Sequence, residues 1–479
     1  MKQFPFNAVD YYDTFPAYLA GISAKYGAQP AVSYFTRKQE KVTHTYHELG
    51  EDVLSLGESL CARGLAGKHI ALVGENSYEW LVACLAAMVC GGVAVCIDIE
   101  QPDDSIREML HLSDAQGVFA SAPFQEICTP FFPDSATAAE RLFLLGGAPD
   151  SANPMTLAAF CEEGRALRAN GYNALGGCAV SPDQTAAIVF TSGTTSQSKL
   201  VMLSHRNMLK NMCDSWLYVT FEKVVFCSLP FYHAYGITCA LLGSLLRGAH
   251  TYINGDLRTM MRDLLLAQPD TMLTVPLVVE AIYSQLWMMA EKEGIIDALR
   301  ATLKRGKFRK KLNIPRDNSA LVELKRKLLG NLHILICGGA HLGKEISEDF
   351  EAFGIQILQG YGITECSPLI SVSSNHSCKM GSVGIALPSC EVKLVDGEFW
   401  VRGESVMSGY YNAPELTAEV LEDGWFKTGD LGYLDKDGFL YLTGRKKNLI
   451  VFKNGKKISP EKLEEKLIQI PLVKEVLIS

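Results

Sequence analysis

Short apolar runs recur along the sequence at spacings that leave room for one helix between consecutive runs. Early examples are HIALVGEN at 69–76, VAVCI at 93–97 and GVFAS at 117–121. A stretch with helical character separates each pair, so the pattern predicts β-strands that alternate with α-helices. Such alternation is typical of parallel strands covered by helices on both faces. We therefore expect an α/β protein.

The alternation continues through the first three quarters of the chain. We expect helices at 78–90, near 103–113, after Ser204 and at 236–246. The later strand runs are AAIVF (186–190), VVFCSLP (224–230), MLTVP (272–276), LHILICGG (332–339) and IQILQGYG (355–362). At 479 residues the chain is too long for one compact core, so two or more domains are expected.

Residues 80–97 contain no charged side chain and reach the length of a membrane span. Gly91 and Gly92 divide this run into WLVACLAAMVC and VAVCI. Asn76 and Ser77 precede the first part as candidate helix caps. We therefore predict a buried helix, a turn and a buried strand here, with at most peripheral membrane contact for the whole protein.

The pattern changes from about residue 380, where the turn pairs Asp396-Gly397 and Asp437-Gly438 separate strand-like runs. We predict a large, multi-subdomain N-terminal domain at 1–443 with mixed, largely parallel sheets, and an antiparallel β subdomain at about 380–443. Residues 444–479 are expected to form a hinge and the start of a small α+β C-terminal domain. They hold nine basic and four acidic residues, a net charge of +5, so the remainder of the chain carries −13.

Charge and cysteine usage exclude several classes of protein. The net charge of −8 argues against nucleic acid as the main partner. The fourteen cysteines include no C-x-x-C pair, and some, such as Cys84, Cys90 and Cys96, lie in apolar surroundings. We expect them to be small buried apolar side chains in a reducing environment. Because no secretory signal opens the chain, a cytoplasmic location is predicted.

The stretch TSGTTSQSKL at 191–200 has the composition of a phosphate-binding loop. Gly193 allows backbone N–H groups to turn inward, and the hydroxyl groups around it offer short donors. A P-loop is excluded, because Ser198 and Leu200 stand where its second glycine and its Ser or Thr are required. A protein kinase is excluded because neither H-R-D-x-x-x-x-N nor D-F-G is present. A Ser/Thr-rich surface turn remains the structural alternative.

Further motifs accompany this loop in a fixed order, and together they resemble those of the adenylate-forming superfamily. That superfamily includes acyl-CoA synthetases, luciferases and nonribosomal adenylation domains. The resemblance runs from about residue 14 to the end of the sequence. Within the superfamily, the sequence most resembles bacterial long-chain fatty acyl-CoA synthetases. The matching stretches are LPFYHAYG (229–236), CGGAHL (337–342), QGYGITECSP (359–368) and WFKTGDLGYLDKDGFLYLTGRKKNLI (425–450).

The resemblance implies a reaction in two halves. A fatty carboxylate, of medium to long chain, attacks the α-phosphorus of ATP to give acyl-AMP and pyrophosphate. The thiol of coenzyme A then displaces AMP. Because an anion must approach a polyanion, such a site needs Mg²⁺, cationic side chains and N–H donors around the phosphates.

The resemblance also assigns roles to individual residues. It places Glu365 on Mg²⁺ and Thr364 on the α-phosphate, with Gly362 among the nucleotide-binding residues. Surface acids and plain turns are the structural alternatives for such positions. The residues that it assigns to the β- and γ-phosphates are Thr191, Ser192, Gly193, Thr194, Thr195 and Lys199. Those that it assigns to adenine and ribose are Gly339, Ala340, Tyr361, Asp430 and Arg445.

Two further residues carry proposed catalytic roles. His233 is expected near the reacting carboxylate, although a histidine between aromatic residues is often part of a core. Lys447 aligns with the family hinge, about which the small domain rotates between two poses. Amino-acid-activating relatives carry an Asp near the His233 motif. Since no acidic residue lies between Leu229 and Gly248, a carboxylate without an amine is favoured.

Apolar and basic segments suggest further features of the substrate site. Apolar side chains that could line an acyl tunnel, or equally pack in the core, are Ile237, Leu241, Leu242, Leu245, Val279, Ile282 and Leu286. The basic segment KRGKFRKK at 304–311 could meet an anionic membrane or CoA phosphates, or form a solvated helix face.

The sequence departs from the family pattern at two places. Ser196, Ser198 and Leu200 replace glycine, proline and glycine of the usual loop. Members also carry a further lysine late in the small domain, and the sequence ends at Ser479 before any matching position. A shortened chain is expected to bind ATP or AMP but to adenylate poorly. The remaining alternatives are an acyl-AMP ligase that loads acyl carrier protein, and a non-catalytic nucleotide- or lipid-binding relative.

Overall fold

The computed structural model describes residues 7–147, 155–191, 198–311, 319–340 and 342–451, with 457, 458, 460, 463, 467 and 476 beyond them. Three sheets and the helices that cover them make up most of this part of the chain. Within these residues no helix is both long enough and apolar enough to cross a membrane.

The strands and helices are numbered in chain order. The strands are β1 (Pro30–Phe35), β2 (Lys41–Thr45), β3 (His69–Val73), β4 (Val93–Cys96), β5 (Gly117–Ala120), β6 (Leu142–Leu144), β7 (Thr185–Thr191), β8 (Lys199–Ser204), β9 (Val224–Cys227), β10 (His250–Ile253), β11 (Thr271–Thr274), β12 (Ile334–Cys337), β13 (Gln356–Gly362), β14 (Leu369–Val372), β15 (Ile385–Ala386), β16 (Glu391–Val395), β17 (Glu398–Arg402), β18 (Gly409–Tyr410), β19 (Leu421–Glu422), β20 (Trp425–Leu434), β21 (Leu440–Arg445), β22 (Ile450–Val451) and β23 (Lys457–Ile458). The α-helices are α1 (Phe15–Tyr26), α2 (Tyr46–Ala62), α3 (Tyr78–Val89), α4 (Asp103–Leu112), α5 (Gln125–Cys128), α6 (Ser135–Arg141), α7 (Leu157–Ala169), α8 (His205–Tyr218), α9 (Gly243–Leu246), α10 (Met260–Ala267), α11 (Pro276–Lys292), α12 (Ile296–Lys311), α13 (Ser319–Leu329), α14 (Lys344–Ala352) and α15 (Pro414–Val420).

Two large sheets position the site. A nine-stranded sheet has the order β15-β14-β13-β12-β11-β9-β10-β1-β2, and its strands from β13 to β1 are parallel. A seven-stranded sheet has the order β18-β8-β7-β4-β3-β5-β6, with β7, β4, β3, β5 and β6 parallel. Ligands of open α/β sheets bind beyond the carboxyl ends of such strands. The α/β class and the largely parallel sheets predicted from the sequence are confirmed.

The uncharged run at 80–97 folds as helix α3, a turn and strand β4, as predicted. Ser77 caps α3, because its hydroxyl accepts a hydrogen bond from the backbone N–H of Trp80 at 3.1 Å. Cys84, Cys90 and Cys96 are buried here, and all fourteen cysteines of the chain are free thiols. The absence of charge in this run therefore reflects complete burial between layers.

The apolar helix predicted at 236–246 is more irregular than expected. Residues Tyr235–Leu242 form a π-helix, and α9 completes the segment. A π-helix moves each backbone hydrogen bond by one residue relative to an α-helix, which the apolar pattern of a sequence does not reveal. The irregular turn matters because it lines a cavity described below.

The five-stranded antiparallel sheet has the order β16-β17-β20-β19, with β21 also paired to β20. Asp396 and Gly397 form a two-residue turn between β16 and β17, with φ angles of 51° and 80°. The antiparallel β subdomain is thereby confirmed. The boundary between 443 and 444 stays a prediction, and it falls within β21. Most of the segment predicted to begin the small C-terminal domain lies outside the described residues.

A buried histidine predicts how stability depends on pH. His205, at the start of α8, is fully buried, and its Nδ1 accepts a hydrogen bond from the backbone N–H of Phe15 at 3.2 Å. Burial lowers the pKa of His205 to about 4 from 6.5. The unfolded chain therefore binds a proton at a higher pH than the folded chain does. Folding is expected to lose on the order of 3 kcal/mol as pH falls from 6.5 towards 4.

The variant His205→Asn tests this expectation, because its amide oxygen can replace Nδ1 as an acceptor without taking up a proton. Its melting temperature should fall less steeply than that of the wild type between pH 7 and 4.5. His376→Asn, at an exposed position, is the control and should keep the wild-type slope. Equal slopes for all three proteins would contradict the assignment to His205.

Candidate functional site

The predicted phosphate loop lies at the end of a β-hairpin. Strands β7 and β8 are antiparallel, and Thr191 pairs with Lys199 across the opening of the loop. Ser192, Gly193, Thr194 and Thr195 lie outside the described residues. A P-loop runs from a strand into a helix, whereas a strand follows this loop. The geometry thus agrees with the exclusion of a P-loop.

Lys199 and Glu365 are joined through one tyrosine. The Lys199 ammonium lies 4.9 Å from the centroid of the Tyr410 ring. The Tyr410 hydroxyl donates a hydrogen bond of 2.7 Å to Glu365 Oε1. Strand β18 places Tyr410 there by pairing with β8, with Tyr410 opposite Val201. A cation from the hairpin and a carboxylate from another sheet are thereby brought to one position.

Glu365 follows β13 in a short turn of 3₁₀-helix, Thr364–Cys366. Its backbone carbonyl accepts a hydrogen bond from the N–H of Met407 at 2.8 Å. Within the described residues, Glu365 Oε2 accepts no hydrogen bond, and Lys199 forms no ion pair. Burial, together with the Glu365 charge, raises the pKa of the Tyr410 phenol, so Tyr410 remains a donor. One carboxylate oxygen and one ammonium are therefore available to a ligand.

The Glu365 carboxylate suits a Mg²⁺ ion whose other ligands come from water and from the phosphates of a bound substrate. Mg²⁺ is commonly bound by one or two carboxylates, with water and substrate phosphates completing its shell. Glu365 offers one such oxygen. Across the described ranges, no cluster of three or more His, Cys, Asp or Glu residues could hold a metal by itself.

A second cluster surrounds Asp430, whose side chain is buried. The Tyr361 hydroxyl donates a 2.7 Å hydrogen bond to Asp430 Oδ2, and Arg445 Nε lies 3.1 Å from Oδ1. Asp430 and Arg445 face each other in the register of β20 and β21. Burial raises the pKa of Asp430, while Tyr361 and Arg445 oppose that rise. The negative charge of Glu365 raises this pKa further, so the two clusters lie within one electrostatic environment.

Glycines form the rim between these clusters. Gly339 has a φ of +88°, which favours glycine, and both Gly339 and Ala340 are exposed at the end of β12. At Gly362 a Cβ atom would lie 2.1 Å from the carbonyl oxygen of Pro368. A side chain at Gly362 would therefore push the end of β13 away from the neighbouring chain.

An apolar cavity opens beside this rim, between α8, the π-helix and the nine-stranded sheet. Its cavity volume is about 70 Å³. Helix α8 contributes Ser215 and Trp216, Val219 directly follows that helix, and the π-helix contributes Tyr235 and Cys239. The remaining lining consists of glycines and apolar residues from β11 to β14, so among the residues that the structure describes no charged side chain lines the cavity. Such a cavity suits an apolar chain.

The predicted tunnel residues occupy other positions. Ile237, Leu241, Leu242 and Leu245 are fully buried in the main hydrophobic cluster. Val279, Ile282 and Leu286 belong to a second cluster behind the nine-stranded sheet. The cavity is lined by none of these seven side chains, so core packing explains them.

His233 and Lys447 each lie next to an element of the site. The exposed His233 precedes the π-helix, and its ring lies 4.7 Å from that of Tyr232. Lys447 is exposed in the turn after β21. The catalytic and hinge roles of these residues stay predictions, as do the ligand assignments of the other site residues. The stacking of Tyr361 on adenine also stays a prediction. The Tyr361 ring is buried, and its centroid lies 6.3 Å from that of the Phe399 ring.

Two residues of this site are absent from the sequence-based predictions. Tyr410 follows Gly409 in a short edge strand, and Trp216 lies in an ordinary amphipathic helix. Neither carries a chemical signal in the sequence alone. Their roles depend on strand and helix packing.

Comparison with known proteins gives concordant matches. The family model described as AMP-binding enzyme matches residues 21–411. The chain is 29% identical to the long-chain-fatty-acid–CoA ligase FadD15 of Mycobacterium bovis over 86% of this chain and 71% of that protein. It is 28% identical to the chloroplastic long-chain-fatty-acid–[acyl-carrier-protein] ligase AEE15 of Arabidopsis thaliana over 91% and 70%. The fold is similar to ATP-bound MatB from Rhodopseudomonas palustris, with a TM-score of 0.73, 24% identity, and coverage of 96% and 84%.

Proposed function

The chain belongs to the AMP-binding enzyme family, and from that membership we propose that it activates a fatty acid to acyl-AMP and transfers the acyl group to coenzyme A. In the first half, a carboxylate oxygen bonds to the α-phosphorus of ATP. The bond from that phosphorus to the bridging oxygen breaks, and pyrophosphate leaves. In the second half, the thiol sulfur bonds to the acyl carbon, AMP leaves, and the thiol proton passes to solvent.

The charged groups of the site suit the first half. Lys199 stands at the opening of the loop proposed to hold the β- and γ-phosphates. Glu365 and phosphate oxygens would hold Mg²⁺, which supplies positive charge to the reacting phosphates. Asp430, fixed by Tyr361 and Arg445, is proposed to accept hydrogen bonds from the ribose hydroxyls. Lys199 and the Mg²⁺ ion would offset the repulsion between a carboxylate and ATP.

One observation carries the choice of a fatty acid, namely the uncharged cavity that opens at the glycine rim. A substrate amine placed there would lose hydration without gaining a carboxylate partner, which costs several kcal/mol. An alkyl chain gains about 0.8 kcal/mol for each buried methylene. The cavity therefore favours an apolar acid without an amine. The names of FadD15 and AEE15 agree with this substrate class.

Pyrophosphate release across a panel of acids tests the proposal. The panel is acetate, hexanoate, decanoate, palmitate, benzoate and phenylalanine, each with ATP and Mg²⁺. We expect release with the straight-chain acids, and acyl hydroxamate when hydroxylamine traps the adenylate. Phenylalanine should give neither product. Strict preference for acetate, benzoate or phenylalanine would overturn the proposal, as would ATP binding without release from any acid by a chain that includes the late lysine of the family.

The acceptor is tested separately on preformed acyl-AMP. We expect coenzyme A to release AMP and yield a thioester. If only an acyl carrier protein does so, the ligase named for that acceptor in Arabidopsis becomes the better comparison, and the coenzyme A assignment is wrong.

A further inference from the structure

We propose that the indole of Trp216 closes the inner end of the apolar cavity and sets the longest acyl chain that the protein accepts. This inference rests on the proposed function, because it concerns the same cavity. It assigns a specificity-determining role to a residue on α8.

The direction of α8 shows which end of the cavity is deep. Midway along the helix, the Asn211 side chain donates to the carbonyls of Cys366 and Leu369, close to the glycine rim. Just beyond its end, the Thr220 N–H donates to Asn375 Oδ1, and Asn375 Nδ2 lies 3.3 Å from the Gln356 side chain. Gln356 is the first residue of β13, whereas Gly362 is its last. The helix therefore runs from the rim towards the far end of the strand, and Trp216 lies at its inner part.

Trp216 is held firmly in this position. Only 2% of its surface is exposed, and its ring packs edge to face on Phe221 at 4.7 Å. A Cβ atom at Gly243 would lie 2.8 Å from the indole nitrogen, so the neighbouring helix already contacts the indole closely. The Trp216 carbonyl accepts a hydrogen bond from the side chain of Asn7 at 3.0 Å. Rotation of the indole out of the way would require these elements to separate.

The indole acts here through its volume. Its buried N–H donates no hydrogen bond within the part of the chain that the structure describes. A smaller apolar side chain would therefore remove bulk without breaking a hydrogen bond. Val219 and Cys239, which line the cavity beside it, are small. Extra space at Trp216 would thus extend the cavity towards Phe221, on which the indole packs.

The affinity of an alkyl chain for such a cavity depends on how many of its methylene groups the cavity can hold. Each methylene that enters the cavity favours binding by about fourfold. A chain that reaches the indole must either leave its last carbons in water or displace a packed ring. Discrimination at this position is therefore expected to be steep, about tenfold or more for one methylene too many.

The test compares kcat/KM for pyrophosphate release with hexanoate, octanoate, decanoate, dodecanoate and palmitate. In Trp216→Ala, we expect the ratio of dodecanoate to hexanoate to rise about tenfold or more. Val219→Trp should shift preference to shorter acids by adding bulk to the same end. Phe221→Leu is the matched control, since Phe221 packs on the far side of the indole and does not line the cavity.

The outcomes separate this inference from the proposed function. If no straight-chain acid supports release by the wild type, the proposed function fails and the inference fails with it. If the wild type is active but Trp216→Ala and Val219→Trp keep its chain-length profile, only the inference is overturned. Should Trp216→Ala fail to fold, as judged by its melting curve, Val219→Trp decides alone. A profile that shifts equally in Phe221→Leu would also overturn the role of Trp216.

Discussion

Asp430→Asn is expected to lower kcat/KM for ATP on the order of 10²- to 10³-fold in pyrophosphate release. The substituted amide keeps the size of the side chain and can still accept from Tyr361. The variant loses the negative charge that pairs with Arg445. In the proposed complex this charge also strengthens the hydrogen bonds that the ribose hydroxyls donate. Hydrogen bonds to charged groups contribute about 1.5–3 kcal/mol each, so loss of two such bonds explains this magnitude.

Asp435→Asn is the matched control for this prediction. Asp435 follows the same strand, but it is paired with Lys379 on the surface. It should retain wild-type kinetics. A melting curve separates loss of the fold from loss of the site in Asp430→Asn. Wild-type kinetics in a folded Asp430→Asn protein would show that Asp430 does not contact the nucleotide.

Glu365→Gln is expected to lower kcat about 10²- to 10³-fold and to raise the Mg²⁺ concentration needed for half-maximal rate. Because the glutamine oxygen can still accept from the Tyr410 hydroxyl, the local geometry is retained. The negative charge that favours a divalent cation is removed. Titration of the rate with Mg²⁺ at saturating ATP measures both effects.

Glu391→Gln provides the control for charge alone. Glu391 is an exposed acid paired with Arg402 on the antiparallel sheet. Its removal should change neither the rate nor the Mg²⁺ dependence. If Glu365→Gln shows a lower rate with an unchanged Mg²⁺ titration, Glu365 supports the site in another way and its assignment to the metal is wrong.

Much of the fold could be predicted from the sequence because the parallel strands are buried on both faces. Runs such as those at 70–73 and 93–96 are apolar throughout, and each is followed by a helix, the first of them capped by Ser77. Thr364, Glu365 and Asp430 could be named because they belong to motifs, and the structure places Glu365 and Asp430 in one electrostatic environment. The π-helix could not be predicted from the sequence, because its apolar residues fit the pattern of an α-helix as well as that of a π-helix.

The rest of the site depends on contacts between distant segments. Tyr410 reaches Glu365 only because a two-residue strand pairs with β8. Trp216 reaches the cavity only because α8 packs across β13 and β14. For the seven apolar residues the sequence left tunnel and core equally open, since an apolar pattern marks burial and does not distinguish a core from a cavity wall. Packing geometry, rather than residue type, makes that distinction.

The register of β20 and β21 has a consequence for movement of the segment beyond them. Asp430 and Arg445 are opposed across an antiparallel ladder, so the spacing of the two strands sets their separation. Lys447, the predicted pivot, comes two residues later. A swing of the chain about that pivot would leave the acid and its arginine where they are. Under the proposed roles of these residues, Asp430 would therefore stay in contact with the ribose while the segment beyond Lys447 rotates.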